Sequence, residues 1–132
     1  MSRGPTPETG VATVGGGNLY YRDAGSGEPL VLVHAGIADN RMWDAQFEAL
    51  ARHYRVVAYD LRGYGRSDTP TAPFYHYRDL ASLLESFDIE SAHLVGASAG
   101  GAVVRGGPSV RAIFRRVAGS LAGLRSRIHS AR

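Results

Sequence analysis

The 132-residue sequence contains no cysteine, and this absence excludes several kinds of site before any motif is considered. Without a thiol the chain can form no disulfide, no thiolate metal site and no cysteine nucleophile. It also lacks a run of about 18 consecutive apolar residues, the length that a membrane-spanning helix needs. Residues 1–10 are polar and lack the apolar core of a signal peptide. They are expected to be a disordered arm, and the protein is expected to be cytoplasmic.

Lysine is absent too, and the acidic residues are confined to one part of the chain. All 15 basic residues are arginine, and residues 91–132 contain seven of them with no aspartate or glutamate. Residues 1–90 contain the other eight arginines and all 12 acidic residues, a net charge of −4 against +7 for the remainder. Because the basic excess is confined to the last third, the chain as a whole does not present a basic surface, and no nucleic-acid partner is expected.

What is present is an alternation of short apolar runs with segments of helical periodicity. Strands at 11–14 and 18–22 flank three consecutive glycines and predict an N-terminal hairpin. Three further runs are largely apolar, as strands buried on both faces are: residues 30–33, 55–59 and 92–95. Between them, helical spacing predicts one helix beginning near Arg41, capped by Asp39 or Asn40, and another over 77–87. Strands that alternate with helices favour an α/β fold with a mostly parallel sheet.

A five-residue motif, Gly96-Ala97-Ser98-Ala99-Gly100, follows the third of these runs. A serine among small residues at a sharp turn from a strand into a helix presents its hydroxyl above the sheet. The start of the helix beneath it favours developing negative charge. Gly96 and Gly100 leave room for the turn, so Ser98 is a candidate nucleophile. The alternative is a glycine-rich turn in which the serine caps the helix.

Two more motifs fall at the carboxyl ends of the other apolar runs, where ligands bind in parallel sheets. His34-Ala35-Gly36 follows the first run, and its small residues allow a backbone N–H to turn toward the serine. The alternative there is a loop that leads into a helix and holds a hydrogen-bonded histidine. The segment 60–68 follows the second run, and Asp60 and Arg62 are expected to brace it through a charge-assisted hydrogen bond. Its Gly-x-Gly lacks the third glycine of a dinucleotide site.

The order of these motifs resembles the N-terminal half of the α/β-hydrolase family. The resemblance rests on four segments: His34-Ala35-Gly36, Trp43-Asp44, Asp60-x-Arg62-Gly63-x-Gly65-x-Ser67-Asp68 and Gly96-x-Ser98-x-Gly100. Four motifs in order are more specific than any one of them alone. The resemblance implies that residues 11–104 form a partial α/β-hydrolase domain, an incomplete and mostly parallel sheet with a leading hairpin.

The same resemblance implies roles for individual residues. Ser98 is the implied nucleophile at the nucleophile elbow, which Gly96 and Gly100 flank. The backbone N–H groups of Gly36 and Ala99 form the implied oxyanion hole. The structural supports are implied to be His34, Asp60 and Arg62.

A serine nucleophile also narrows the implied chemistry. With a serine at position 98, the chain is similar to esterases, lactonases, C–C bond hydrolases and cofactor-free haloperoxidases. It is unlike the dehalogenases and epoxide hydrolases, whose nucleophile is an aspartate. The resemblance therefore implies hydrolysis of a small ester or lactone through an acyl-serine intermediate, with no cofactor or metal. A haloperoxidase or C–C bond hydrolase is the alternative enzyme.

The sequence departs from the family's order after the nucleophile, where an acid and then a histidine complete the triad. No aspartate or glutamate follows Glu90, and His129 is the only histidine after Ser98. The domain is therefore expected to be truncated before the triad acid and base. A catalytically dead remnant or a non-catalytic binding or interaction module stays open as the alternative. The third predicted strand would lie at an open sheet edge, which allows self-association.

Residues 105–132 diverge from the family altogether. Apolar residues with spacings of three and four predict a basic amphipathic helix: Val110, Ile113, Phe114, Val117, Leu121, Leu124 and Ile128. Three interpretations stay open for this tail. It is a helix that lies against the sheet, an out-of-frame or rearranged product, or a helix that binds a membrane surface, a partner or nucleic acid.

Overall fold

A computed structural model of the protein describes residues 6–97 and 99–104. The elements in chain order are β1 (Glu8–Val14), β2 (Gly17–Ala24), β3 (Pro29–Val33), a 3-10 turn (Asn40–Trp43), α1 (Asp44–Ala51), β4 (Arg55–Tyr59), α2 (His76–Ser86), β5 (His93–Gly96) and α3 (Ala99–Val104). Ser98 and the predicted tail helix at 105–132 lie outside the described residues.

The strands form one mixed sheet in the order β1-β2-β4-β3-β5, which confirms the α/β class and the leading hairpin. β2 pairs antiparallel with both β1 and β4, whereas β3 pairs parallel with both β4 and β5. Val33, the last residue of β3, pairs with Tyr59 on one side and Gly96 on the other. The carboxyl ends of β3, β4 and β5 therefore lie side by side, and the three motifs that follow them meet at one edge of the sheet.

β1 begins at Glu8, so the disordered arm predicted for residues 1–10 is wrong for its last three residues. Glu8, Thr9 and Gly10 pair with Asp23, Arg22 and Tyr21 of β2. These three residues bury little side chain, and it is backbone pairing with the longer β2 that makes them a strand. A search for apolar alternation does not detect a strand end of this kind.

Side chains that alternate along the strands fill a separate core on each face of the sheet. On one face, valines of β3 and β4 pack against α2 and α3, and the shared core includes Val31, Val33, Val57, Leu80, Leu83, Leu84 and Val103. On the other face, their neighbours pack against α1 and the 3-10 turn, including Leu30, Leu32, Val56, Trp43, Phe47 and Leu50. Burial on both faces explains why these strands are apolar throughout instead of alternating with polar residues.

β5 is the last strand of the sheet in the described part of the chain, and only β3 pairs with it there. Self-association through its other edge stays a prediction. None of the helices described in residues 6–97 and 99–104 is long and apolar enough to cross a membrane.

Candidate active site

The serine turn, residues 96–100, joins β5 to α3. β5 ends at Gly96 and α3 begins at Ala99, so two residues turn the chain from strand to helix. The turn is tied to the neighbouring strand, since the N–H of Ala97 donates to the carbonyl of Val33 at 3.1 Å. Its own hydrogen bond runs from the N–H of Gly100 to the carbonyl of Ala97, at 2.9 Å. Ser98 itself is not described, and its role as nucleophile stays a prediction.

Both flanking glycines occupy positions where no side chain fits. A Cβ atom at Gly96 would overlap the backbone of Gly100 and Gly101. A Cβ atom at Gly100 would overlap the carbonyl oxygens of Val33 and His34. The backbones of β3, β5 and α3 thus approach one another as closely as the tight strand-to-helix turn of a serine hydrolase requires.

The segment proposed to supply the other oxyanion-hole N–H lies against this turn. Gly36 is in a turn that the N–H of Ala38 closes by donating to the carbonyl of Ala35 at 3.0 Å. Within the described residues, the N–H of Gly36 donates to no acceptor. The first N–H groups of a helix have no acceptor inside the helix, and Ala99 is the first residue of α3. Gly36 and Ala99 thus each have a backbone N–H without an intrachain acceptor among the contacts described, and their role as the oxyanion hole stays a prediction.

His34 is fully buried, and both of its ring nitrogens are engaged. Nε2 accepts the N–H of Leu61 at 2.9 Å, so the proton of the neutral ring resides on Nδ1. Nδ1 lies 2.7 Å from the carbonyl of Ala35 and donates to it. The ring also meets Tyr64 edge to face, with centroids 5.4 Å apart. His34 thus ties the loop after β3 to the loop after β4 and has no free nitrogen to act as a base.

Asp60 accepts three hydrogen bonds and none of them comes from Arg62, so the expected bond between these two residues is not formed. Asp60 Oδ1 accepts from the backbone N–H and the side-chain Nδ2 of Asn40, both at 2.7 Å. Asp60 Oδ2 accepts from the backbone N–H of Arg66 at 3.0 Å. The carboxylate therefore joins the loop after β4 to the 3-10 turn that precedes α1.

Arg62 reaches instead to the opposite face of the sheet, where α2 lies. Its guanidinium donates two hydrogen bonds of 2.8 Å to the carboxylate of Asp79, and both residues are buried. It also donates to the carbonyls of Val14 and Gly15, at 3.2 and 3.3 Å. Asp60 and Arg62 belong to the same loop, but each secures it to a different element.

Asp79 is not among the residues predicted from the sequence, although its position carries a signal. Asp79 precedes Leu80 on the apolar stripe of α2 and is only 5% exposed. An acidic side chain on the buried face of an amphipathic helix requires a cationic or hydrogen-bonding partner. Two arginines, Arg62 and Arg66, lie in the loop leading from β4 toward that helix, and Arg62 is the one that pairs with Asp79.

Two other histidines, His93 and His76, have surroundings that differ from those of His34. His93 begins β5, at the opposite end of that strand, and its Nε2 lies 2.6 Å from Oε2 of Glu28. His76 begins α2 beside the rings of Phe74 and Tyr64. Burial lowers the pKa of His76, and its Nδ1 has no partner among the described residues. In the same part of the chain, no group of three or more metal-ligating side chains is found.

The sheet order and the glycine-flanked serine turn define a class of α/β proteins whose site lies at the carboxyl edge of the sheet. The model of the α/β hydrolase fold family matches residues 28–105, and the chain belongs to this family.

Similar proteins within the family differ in the reactions their names describe. The chain is 38% identical to a non-heme chloroperoxidase of Streptomyces lividans over 71% of its own length and 36% of the relative's. Two similar solved structures are the epoxide hydrolase CorEH (28% identity, TM-score 0.77) and an enol-lactonase of Burkholderia xenovorans LB400 (34% identity, TM-score 0.68). They are matched over 85% and 71% of this chain and over 41% and 39% of their own chains. The chain thus spans about a third of the length of that curated relative.

Proposed function

We propose that this chain carries the nucleophile and oxyanion-hole part of a serine hydrolase site that acts on small esters or lactones. The observation that supports the proposal most directly is the exclusion of any side chain at Gly96 and Gly100. In the sequence, these two glycines flank the one residue of the turn that carries a hydroxyl, Ser98.

The identity of the residue at position 98 selects among the reactions of the relatives. An aspartate there would favour the chemistry implied for epoxide hydrolases, and this chain has a serine. The enol-lactonase shares 34% identity, which supports a lactone or another small ester as substrate.

The proposed reaction transfers an acyl group to Ser98 and then to water. The Ser98 oxygen forms a bond to the carbonyl carbon, the carbon–oxygen bond to the leaving alcohol breaks, and the serine proton passes to a base. The N–H groups of Gly36 and Ala99 donate to the carbonyl oxygen as it gains negative charge. Water then attacks the acyl-serine, which releases the carboxylic acid and restores the hydroxyl.

Two of the described histidines are unsuited to act as the general base. Both nitrogens of His34 are engaged, and His93 lies at the far end of β5. A serine without a general base is a weak nucleophile. In proteases that lack the triad, the oxyanion hole and binding alone retain about 10³–10⁴-fold acceleration over water. We therefore expect slow acylation by an activated ester, with a rate that rises with hydroxide concentration.

The test is the reaction of the folded chain with p-nitrophenyl acetate, beside Ser98→Ala and the control Ser91→Ala. Ser91 is an exposed serine just before β5, so its loss should leave the site intact. We expect release of p-nitrophenolate and an acetylated chain, both lost in Ser98→Ala and retained in Ser91→Ala. Equal release from all three chains would refute the proposal.

The second candidate is a non-catalytic binding module. The engagement of both His34 nitrogens favours it, because that side chain cannot replace the missing base without losing its contacts. A binding module would show no Ser98-dependent acetylation at any pH, whereas the hydrolase proposal requires acetylation that increases with pH.

A further inference from the structure

A separate cavity of about 330 Å³ opens near the carboxyl end of β4, on the side away from β5. Its walls come from β2, the loop after β4, and the segment from Asp39 to Asp44. Neither Gly36 nor the described residues of the serine turn line it. Its volume is at the lower end of the range for small-molecule sites, which suits a ligand of few atoms.

Of the three carboxylates that line the cavity, two form ion pairs with arginines and the third is held by hydrogen bonds. Asp39 and Arg41 form an ion pair at 2.8 Å, and hydrogen bonds from Arg41 lower the pKa of Asp39 to about 2. Asp44 pairs with Arg22, also at 2.8 Å. Asp60 is buried and accepts three N–H donors, as described above. The two ion-paired acids therefore oppose an incoming anion only weakly.

Arg66 is the lining arginine that forms no ion pair with the described residues. Its guanidinium lies over the ring of Tyr20, 5.1 Å from the centroid, with Nη1 3.5 Å from the phenol oxygen. Its backbone N–H is fixed to Asp60, which holds the residue at the cavity. An exposed guanidinium oriented by an aromatic ring is a suitable partner for a carboxylate.

Two other polar atoms of lining residues have unused hydrogen-bonding capacity. Arg22 Nε and Asn40 Oδ1 are buried, and neither has a partner in the described part of the chain. Asn40 is only 4% exposed, and its Nδ2 is committed to Asp60. The two residues are in contact, since Arg22 Nη2 donates to the carbonyl of Asn40 at 2.8 Å. Buried polar atoms are normally paired, so an unsatisfied donor and an unsatisfied acceptor in two contacting residues indicate a missing group. A hydroxyl meets both needs, since it accepts from Nε and donates to Oδ1.

We propose that this cavity is a binding site for a small hydroxycarboxylate, with its carboxylate on Arg66 and its hydroxyl between Arg22 and Asn40. The proposal does not depend on the chemistry of Ser98. Hydrolysis of a lactone releases a hydroxy acid, so the same class of molecule would be the product of the proposed reaction. The site would then sense or retain product without contacting the serine turn.

The test compares the binding of lactate and propionate, two carboxylates that differ by one hydroxyl, to the full chain by titration calorimetry at constant ionic strength. We expect lactate to bind in the millimolar range or tighter, and propionate to bind about tenfold more weakly. Arg66→Ala should weaken lactate binding at least about tenfold, because it removes the charged partner but keeps the backbone N–H.

The matched control is Arg78→Ala. Arg78 also lies over a tyrosine, 5.0 Å from the ring of Tyr75, but it does not line the cavity. Its loss should leave lactate binding unchanged. If Arg66→Ala is poorly folded, Arg66→Gln provides a second variant that keeps most of the side chain. Equal affinity for the two acids, unchanged affinity in the Arg66 variants, or no binding at about 10 mM would overturn the proposal.

Discussion

At the scale of single residues, the serine turn requires glycine at position 100, because there is no room for a Cβ atom. The hydrogen of Gly100 faces the carbonyl oxygens of Val33 and His34, so a methyl group there would force β3 and α3 apart. We expect Gly100→Ala to lower the free energy of unfolding by about 3 kcal/mol, at the upper end of typical overpacking effects. Urea unfolding followed by circular dichroism measures this change.

The control for that substitution is a neighbour in the same helix with room to spare. Ala102 lies in α3 and is exposed, so Ala102→Ser should change stability by less than about 0.5 kcal/mol. If Gly100→Ala were as stable as Ala102→Ser, the close approach of the backbones at the serine turn would be contradicted.

His76 makes stability depend on pH in one direction. Burial lowers its pKa, Asp79 opposes that shift, and His34 and Arg62 add to it. The unfolded chain therefore takes up a proton on His76 before the folded chain does, once the pH falls below about 6.5. The free energy of unfolding should be at its full value above that pH and should decrease below it.

His76→Gln removes the titrating group and should reduce this pH dependence. Urea unfolding of both chains at about pH 7.5 and pH 5.5 brackets the ordinary pKa of histidine. We expect the wild-type chain to lose more stability between the two than His76→Gln does. An identical loss in the two chains would show that His76 does not contribute.

At the scale of elements, local patterns predicted the strands and helices but not the contacts between them. β4 has the bounds predicted for it, Arg55–Tyr59, because the four residues after Arg55 form the continuous apolar run of a strand buried on both faces. The helical spacing after Arg41 is also confirmed, with Asp39 as the cap, although the first turn is a 3-10 turn. β1 extends to Glu8 through backbone pairing, which leaves no trace in side-chain polarity.

The pair of Arg62 and Asp79 is one of the contacts between elements that local sequence patterns do not predict. It joins the loop after β4 to α2, and through Val14 and Gly15 it also secures the hairpin. Asp79→Ala would leave a buried guanidinium without its counterion, and we expect it to lower the free energy of unfolding by about 3–5 kcal/mol. Thermal and urea unfolding give the value.

An exposed ion pair provides the contrast. Arg52 and Glu48 lie 3.3 Å apart on the surface of α1 and its C-terminal end, with both side chains at least half exposed. Arg52→Ala should therefore change stability by less than about 1 kcal/mol. If Asp79→Ala had an effect as small as this, Arg62 would not depend on Asp79 for compensation.

At the scale of the whole molecule, the parallel alignment of β3, β4 and β5 is what gathers the motifs. The sequence placed His34-Ala35-Gly36, the 60–68 segment and the serine turn at strand ends, and the register brings those ends together. It did not give the partners of Asp60 and Arg62, because these come from distant elements whose positions depend on the packing of both faces. The cavity beside Arg66 is not predictable from the sequence for the same reason, since its walls come from three separate segments.

The central claim is that Ser98 is a nucleophile, and covalent labelling with a fluorophosphonate tests it most directly. Cleavage after arginine gives one peptide, residues 79–105, that contains Ser82, Ser86, Ser91 and Ser98, and fragmentation in the mass spectrometer distinguishes them. We predict a single adduct on Ser98, formed faster at higher pH and absent from Ser98→Ala. An adduct on another serine, or none on a chain shown to be folded, would contradict the account.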